Sequence, residues 1–413
     1  MNHPIKKRAA SERVVITGLG TITSIAESAE NFATALFEGR CGIGPVTLFD
    51  ASGFHSESAG QVRRENLASP FQPAEIKRAS RCDLMGMLAA DEALADSGLD
   101  PECYADSDCG VIMGGGAGGM LSWEKYRRMS WEGHSRPTPS MVMAASPCTL
   151  SDILASRYSL TGWRATISTA CSSSTTALGY AADLIRSGEQ KMVVAGGSES
   201  LSMLTFAGFN ALRATDPLYC RPFDKKRQGL SLGEGAAVFL LERFDRARDR
   251  GAKMYAEVLG YAINSDAYHL TSPDPKGSGM ARVMAAALKN AGVQSKLVRY
   301  INAHGTGTRL NDKMETLAIH TVFGKRAGEI PVSSTKSQVG HCLGASGAIE
   351  AMATVLALRE EKIPPTIHLS EPDPECDLDY VADGARQTAI GVALSNSFAF
   401  GGNNSSLVLG AVR

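Results

Sequence analysis

Short apolar, β-branched runs alternate with longer helix-like stretches along this chain, and that alternation limits the fold more than any other feature. The runs fall at residues 14–17, 110–113, 165–168, 192–195, 236–241, 255–259, 300–302, 330–333 and 390–394. Helical patterns occupy 83–96, 174–186, 279–291, 313–323 and 345–358. Such alternation predicts α/β layers with largely parallel strands. Met192-Val193-Val194-Ala195 is apolar at every position, as a strand buried on both faces must be. The most charged stretch, 243–253, lies just past the midpoint. It reads either as the junction between two α/β halves, 1–252 and 253–413, or as a solvated surface helix within one domain. No short repeat is visible, so any duplication is structural.

Charge and composition narrow the partners. Across 413 residues, 42 Lys and Arg face 43 Asp and Glu, a net charge of −1, which argues against a nucleic-acid binder or a membrane-surface protein. The proportions, 44% hydrophobic and 21% charged, are those of a globular protein. Nine scattered cysteines without a CxxC pair suggest neither a zinc site nor a secreted disulfide framework. The N-terminus is basic, but the apolar run after it is short and interrupted by Gly18, so it reads as a first strand rather than a signal peptide. No window approaches the roughly 18 apolar residues of a membrane span. A soluble, cytoplasmic protein is expected.

Gly114-Gly115-Gly116-Ala117-Gly118-Gly119 follows a predicted strand and formally matches the dinucleotide fingerprint GxGxxG. The fingerprint calls for a helix and then an acid about 20 residues on, at the end of a second strand. Here the charges of 124–128 come too early and a loop with Pro137 and Pro139 follows. The alternative is backbone packed closely against a pocket or another subunit.

Cys171 stands where the run 165–168 gives way to a helix, among small residues, in Thr169-Ala170-Cys171-Ser172-Ser173. The N–H groups at a helix N-terminus stabilise a thiolate and lower its pKa from about 8.5. Small neighbours let a carbonyl reach the sulfur, and the adjacent N–H can hold an oxyanion. A lone cysteine is usually a small buried hydrophobe, so its partners decide. His304, in Asn302-Ala303-His304-Gly305-Thr306-Gly307-Thr308, and His341, after Lys336 and Gly340, both lie at strand-to-loop exits. Two neutral imidazoles beside one thiol can polarise a carbonyl and move protons. His3 is terminal, and His55, His134, His269, His320 and His368 read as surface, loop or packing residues.

These segments, together with Asn396-Ser397-Phe398-Ala399-Phe400-Gly401-Gly402-Asn403, resemble the ordered motifs of elongating β-ketoacyl-[acyl carrier protein] synthases of the ketosynthase II type, with features of the catalytic subunits of type II polyketide systems. The likeness runs from about Val14 to the C-terminus. It implies a thiolase-type α/β fold with two similar halves, each a mixed five-stranded sheet, in alternating helix and sheet layers, and an obligate dimer. By resemblance Cys171 accepts the acyl group, His304 and His341 drive malonyl decarboxylation, and Lys336 and Glu315 order that site. Lys336 and Glu315 read equally well as a buried ion pair holding the loops. Phe400 resembles the gate whose N–H joins that of Cys171 as the oxyanion hole. Thr306 and Thr308 resemble threonines that bond phosphopantetheine, and Phe398 and Gly401 belong to the substrate-binding gate motif. The Phe398/Phe400 pair alone would more often be core.

The implied reaction needs no metal or redox cofactor, because phosphopantetheine arrives on an acyl carrier protein. That carrier is acidic in this family, so cations are expected at the entrance, with Lys77, Arg78, Arg81, Lys125, Arg127, Arg128 and Arg213 as candidates. Ala117 stands where the family often has a bulkier residue, which should enlarge the acyl tunnel. Residues 309–316 and 372–380 resemble polyketide subunits, whereas 396–404 is closer to fatty-acid enzymes, with Ala399 and Asn403 as departures. The partner is then a second copy or a chain-length-factor paralogue. A non-catalytic chain-length factor is argued against by Cys171 with both histidines. A coenzyme A-using thiolase or initiating synthase would typically carry a second cysteine or an asparagine in the later motifs, and Cys342 reads as packing.

Overall fold

The computed structural model describes residues 8–100, 102–105, 109–133 and 136–412. His3 and His134 lie outside the described residues. The first half supplies strands β1 (Val14–Thr23), β2 (Cys109–Gly114), β3 (Arg164–Ile167), β4 (Met192–Glu199) and β5 (Gly235–Arg243). The second supplies β6 (Ala256–Ser265), β7 (Tyr300–Asn302), β8 (Val332–Ser333), β9 (Val392–Ala399) and β10 (Asn403–Gly410). Their spatial order is β3-β2-β4-β5-β1 in one half and β8-β7-β9-β10-β6 in the other. Both halves therefore run third, second, fourth, fifth, first.

Strand directions repeat as well. The second strand of each half is parallel to its two neighbours, and the fourth, fifth and first strands are antiparallel in turn. The duplication is structural, without a short sequence repeat. The two five-stranded sheets are not separate, however. Val15 pairs with Glu257 and Ile16 with Ala256, joining β1 to β6 and making one ten-stranded mixed sheet. The charged stretch 243–253 contains the short helix Phe244–Asp249 between the last strand of one half and the first of the next. There Arg246 and Arg250 pair with the buried Glu242.

Helices α1 (Arg81–Asp96), α2 (Met120–Glu132), α3 (Ser173–Arg186), α4 (Ser278–Ala291), α5 (Arg309–Phe323) and α6 (Ser346–Glu360) complete the layers. Alternation along β4 shows how. Val193 and Ala195 face a central core with Ala177 and Ala181 of α3 and Met352 and Val355 of α6. Met192 and Val194 point the other way, onto Met85, Ala89 and Ala93 of α1. In the second half Ile301, Leu394 and Val408 pack outward on Met284, Ala287 and Ile319 of α4 and α5. Period-two strands thus feed an inner and two outer cores. Gly347 lets the two central helices touch, since a Cβ there would lie 1.9 Å from Thr175 Oγ1. That contact places the start of α3 beside the start of α6. Among the described residues no helix is long and apolar enough to cross a membrane.

Candidate active site

Beyond β3 the chain turns into α3 through Ala170, whose φ is 52°. A left-handed backbone costs a non-glycine residue about 1–2 kcal/mol, so tertiary contacts must hold it. Ser173 Oγ does so, accepting the Thr169 N–H at 2.9 Å and donating to the Ala170 carbonyl. Cys171 is thereby held against a cavity of about 570 Å³, on whose wall His304, His341, Thr306, Thr308, Phe398, Phe400 and Gly401 also lie. One ligating atom from each of Cys171, His304 and His341 falls within 4.8 Å of the other two. The imidazole rings are 5.4 Å apart at 88°.

Hydrogen bonds set both tautomers. Lys336 Nζ lies 3.1 Å from His304 Nδ1, and an ammonium only donates. His341 Nδ1 accepts the Leu343 N–H at 3.0 Å and meets Ser346 Oγ at 2.9 Å. Each neutral ring therefore carries its proton on Nε2. Burial pushes both imidazoles well below the usual 6.5, with the Lys336 charge adding to it and His341 adding further for His304. Both stay neutral at pH 7. Two N–H donors beside one sulfur suit a developing oxyanion, whereas a metal would need the lone pairs those protons occupy.

Glu315 and Lys336 do not form the buried pair that the sequence allowed. Glu315 reaches back from α5 to accept the N–H groups of His304 and Gly305, both at 2.9 Å. Its role is to hold the histidine loop. Lys336 pairs instead with Glu350 of α6, the two side chains being 1% and 2% exposed. Sequence reasoning missed Glu350. The available signal was an isolated acid in a helix buried at every position from Ser346 to Leu358, since a buried charge requires a partner.

Phe400 and Cys171 line the same cavity, and their backbone N–H groups both pull the thiol's pKa down, as groups placed to form an oxyanion hole would. Phe400 stacks on Phe209 at 5.7 Å between centroids, and Gly401 follows with a left-handed φ of 79°. Phe398 sits 6.1 Å from the His304 ring. The Thr306 and Thr308 hydroxyls are 2.8 Å apart.

The thiol departs from the sequence expectation. Burial pushes Cys171 up to about 11, against the pull of Lys336 and the Phe400 N–H, so the resting sulfur is protonated. Thiolate accumulates only as pH rises through that value. Alkylation of Cys171 by iodoacetamide, followed by peptide mass spectrometry, should therefore quicken about tenfold per pH unit from pH 7 to 10. A plateau near pH 8 would show that the helix N-terminus outweighs burial.

The remaining candidates separate. Ala117 is half-buried and does not line the Cys171 cavity; its N–H donates to Glu199 at 3.0 Å. Arg81 is committed to the buried Glu234 and the Val62 carbonyl, which removes it from the docking cations. Lys77, Arg78, Lys125, Arg127, Arg128 and Arg213 are exposed, and of these only Arg213 lines the cavity. His55, read as a packing or surface residue, lines the same mouth 3.5 Å from Arg213. His269 accepts turn N–H groups, His320 pairs with Asp377, and His368 stacks on Tyr219. All nine cysteines are free.

Comparison with known proteins agrees with this geometry. Residues 11–247 match the family described as "Beta-ketoacyl synthase, N-terminal domain", and 255–370 match its C-terminal domain. A 3-oxoacyl-[acyl-carrier-protein] synthase 2 of Synechocystis sp. is 43% identical, covering 96% of this chain and 97% of that protein. Its namesake from Coxiella burnetii is 40% identical, covering 97% and 99%. Among solved structures, the ishigamide ketosynthase/chain length factor superposes with a TM-score of 0.93 at 35% identity, covering 98% of this chain and all 100% of that one. A type II polyketide acyl-carrier protein in complex with its ketosynthase bound to the hexaketide matches at a TM-score of 0.89 and 32% identity, covering 98% and 100%. With its duplicated α/β layers of thiolase type, this chain belongs to the β-ketoacyl synthase family.

Proposed function

We infer that this protein is a 3-oxoacyl-[acyl carrier protein] synthase that extends a fatty-acid or polyketide chain by two carbons. The observation that carries the reading is the convergence of Cys171, His304 and His341 on one cavity, with both imidazole Nδ1 atoms already engaged so that each ring's proton sits on Nε2. In the first half-reaction the Cys171 sulfur attacks an acyl thioester carbonyl, the Phe400 and Cys171 N–H groups hold the oxyanion, and the carrier's thiol leaves with the proton. In the second, malonyl thioester loses CO₂ and its electron pair enters an enolate held by His304 and His341. The enolate carbon then attacks the acyl-cysteine carbonyl, a C–C bond forms, the C–S bond breaks, and Cys171 leaves as thiolate and takes up a proton from water. Thr306 and Thr308 bond the pantetheine arm, and Phe398, Phe400 and Gly401 form the gate. The nucleophile comes from the half 1–252 and the histidines from the half 253–413. No resident cofactor is invoked.

The partners are an acyl carrier protein, docked by the exposed cations, and a second ketosynthase-type subunit, either a copy or a chain-length-factor paralogue, in the cytoplasm. A dimer face is supported by α2 and the helix Pro139–Met143, neither of which buries a residue, and by Trp131, 87% exposed. The free edge of β3 adds unpaired backbone groups. Incubation with a panel of acyl-carrier proteins tests the catalytic reading. Intact mass should rise by one acyl group per chain, and a wild type that never gains acyl mass sinks it. Co-expression with a paralogue lacking the cysteine should give a 1:1 complex if the pathway is a polyketide one and homodimers if it is not.

Ala117 governs acyl length in this reading on the strength of the family resemblance alone, since it lies outside the lining of the Cys171 cavity. Ala117→Ile should restrict transfer to shorter chains in the same mass assay, because a packed wall cannot absorb three extra carbons without displacing the ligand. An unchanged length profile would remove Ala117 from the substrate pocket.

A further inference from the structure

We propose that Glu199 is a positioning residue that ties the glycine cluster 116–118 to the His341 loop, so that malonyl decarboxylation depends on one buried carboxylate. The proposal rests on the ketosynthase reading above. Glu199 ends β4 and is 0% exposed. Its Oε1 accepts the N–H groups of Ala117 at 3.0 Å and Gly118 at 2.7 Å. Its Oε2 accepts those of Gly116 at 2.8 Å and Gly344 at 3.1 Å. A carboxylate offers about four lone-pair sites, and all are filled by backbone amides. Among the described residues no cation pairs with it.

This arrangement also accounts for the glycine cluster. The segment does follow a strand and does open a helix, α2, and its amides do cradle an anion, as such loops do for phosphates. The anion is the protein's own side chain. A Cβ at Gly116 would sit 3.0 Å from Glu199 Oε2, and one at Gly344 would sit 2.8 Å from it and 2.5 Å from the Gly116 N. Gly344 is thus required for the two loops to close on one carboxylate, and Gly116 leaves a side chain little room there.

The reach to chemistry runs through Gly344. It lies in the tight turn Leu343–Ala345, and the Leu343 N–H is the donor that holds His341 Nδ1. A shift of Gly344 moves that donor, and with it the ring that steadies the enolate. On the other side, the amides of Gly116, Ala117 and Gly118 clamp the same carboxylate. Glu199 thus fixes the tilt of a catalytic imidazole against the glycine loop. Displacements well under 1 Å matter at such sites.

Glu199→Gln keeps the shape but turns an NH₂ toward amide donors, so one pair of N–H groups loses its acceptor. Two rates are measured on folded protein, checked by circular dichroism. One is acyl transfer to Cys171 from short and long saturated acyl-carrier proteins, read by intact mass; the other is CO₂ release from malonyl-carrier protein. The expected result is a fall of about tenfold in CO₂ release, with acyl transfer from either chain length falling by less than about threefold. Gly344→Ala, which pushes on Oε2 from the histidine side, should lower CO₂ release in the same way and serves if the Gln variant does not fold. A merely structural role would lower stability and reduce both rates alike. If either folded variant keeps the ratio of CO₂ release to acyl transfer within about twofold of wild type, the positioning role is refuted. Wild type run in parallel separates the cases, because failure of wild type itself to acylate would count against the ketosynthase reading.

Discussion

Cys171→Ala should lose acyl-chain condensation by on the order of 10⁴-fold or more while still releasing CO₂ from malonyl-carrier protein. The reason is the division of labour in the cavity. In the proposed reaction the sulfur holds the acyl group, whereas the enolate oxygen is held by the Nε2–H groups of His304 and His341, whose Nδ1 atoms are engaged by Lys336, Leu343 and Ser346. None of those contacts passes through Cys171. Removing one sulfur from a buried site costs about 1–3 kcal/mol of packing, too little to unfold a chain with four hydrophobic clusters among its described residues. Product formation and ¹⁴CO₂ release measured on the same sample check the split. Loss of both activities together in a folded variant would mean that the histidines do not act independently of the thiol.

The second large effect belongs to the Lys336–Glu350 pair. Lys336→Ala leaves a carboxylate buried at 2% exposure without its cation, and breaking a buried pair on one side costs about 3–5 kcal/mol. Desolvation already pushes Glu350 up, opposed by Lys336, so the orphaned acid would take up a proton. Replacing both partners by apolar residues, Lys336→Met with Glu350→Leu, should recover most of that stability, since buried pairs are often replaceable by well-packed hydrophobes. Activity should not recover. Without the Nζ donor, His304 is free to move its proton to Nδ1 and turn a lone pair on the enolate, at a cost of about 10²-fold in CO₂ release. Denaturant unfolding and decarboxylation rates on the two variants measure these separately. A double variant that regains activity along with stability would make the pair purely structural.

Much of the site was legible from residue order. The strand and helix alternation, the small-residue turn around Cys171 and the loops bearing His304 and His341 are local features, written in periodicity and in residues that only certain turns accept. What stayed hidden involves groups distant in sequence that share one desolvated volume. Arg81 looked like a surface cation, yet it is held by Glu234. His55, read as a surface, loop or packing residue, is exposed, and only the fold places it at the mouth of the cavity. The helix start at Cys171 argued for a thiolate, but burial outweighs it and pushes the thiol up to about 11.

By itself, then, the sequence determined the α/β class, the family and the segments bearing Cys171, His304 and His341 that the fold brings to one cavity, because backbone propensity and motif spacing act over short stretches. Only the tertiary structure decided that β1 pairs with β6 to merge the two halves, that Lys336 belongs to Glu350 rather than Glu315, and that the glycine cluster wraps Glu199. These are choices among partners, settled by which charges and amides are removed from water together. Desolvation depends on the whole fold, so no local pattern carries it.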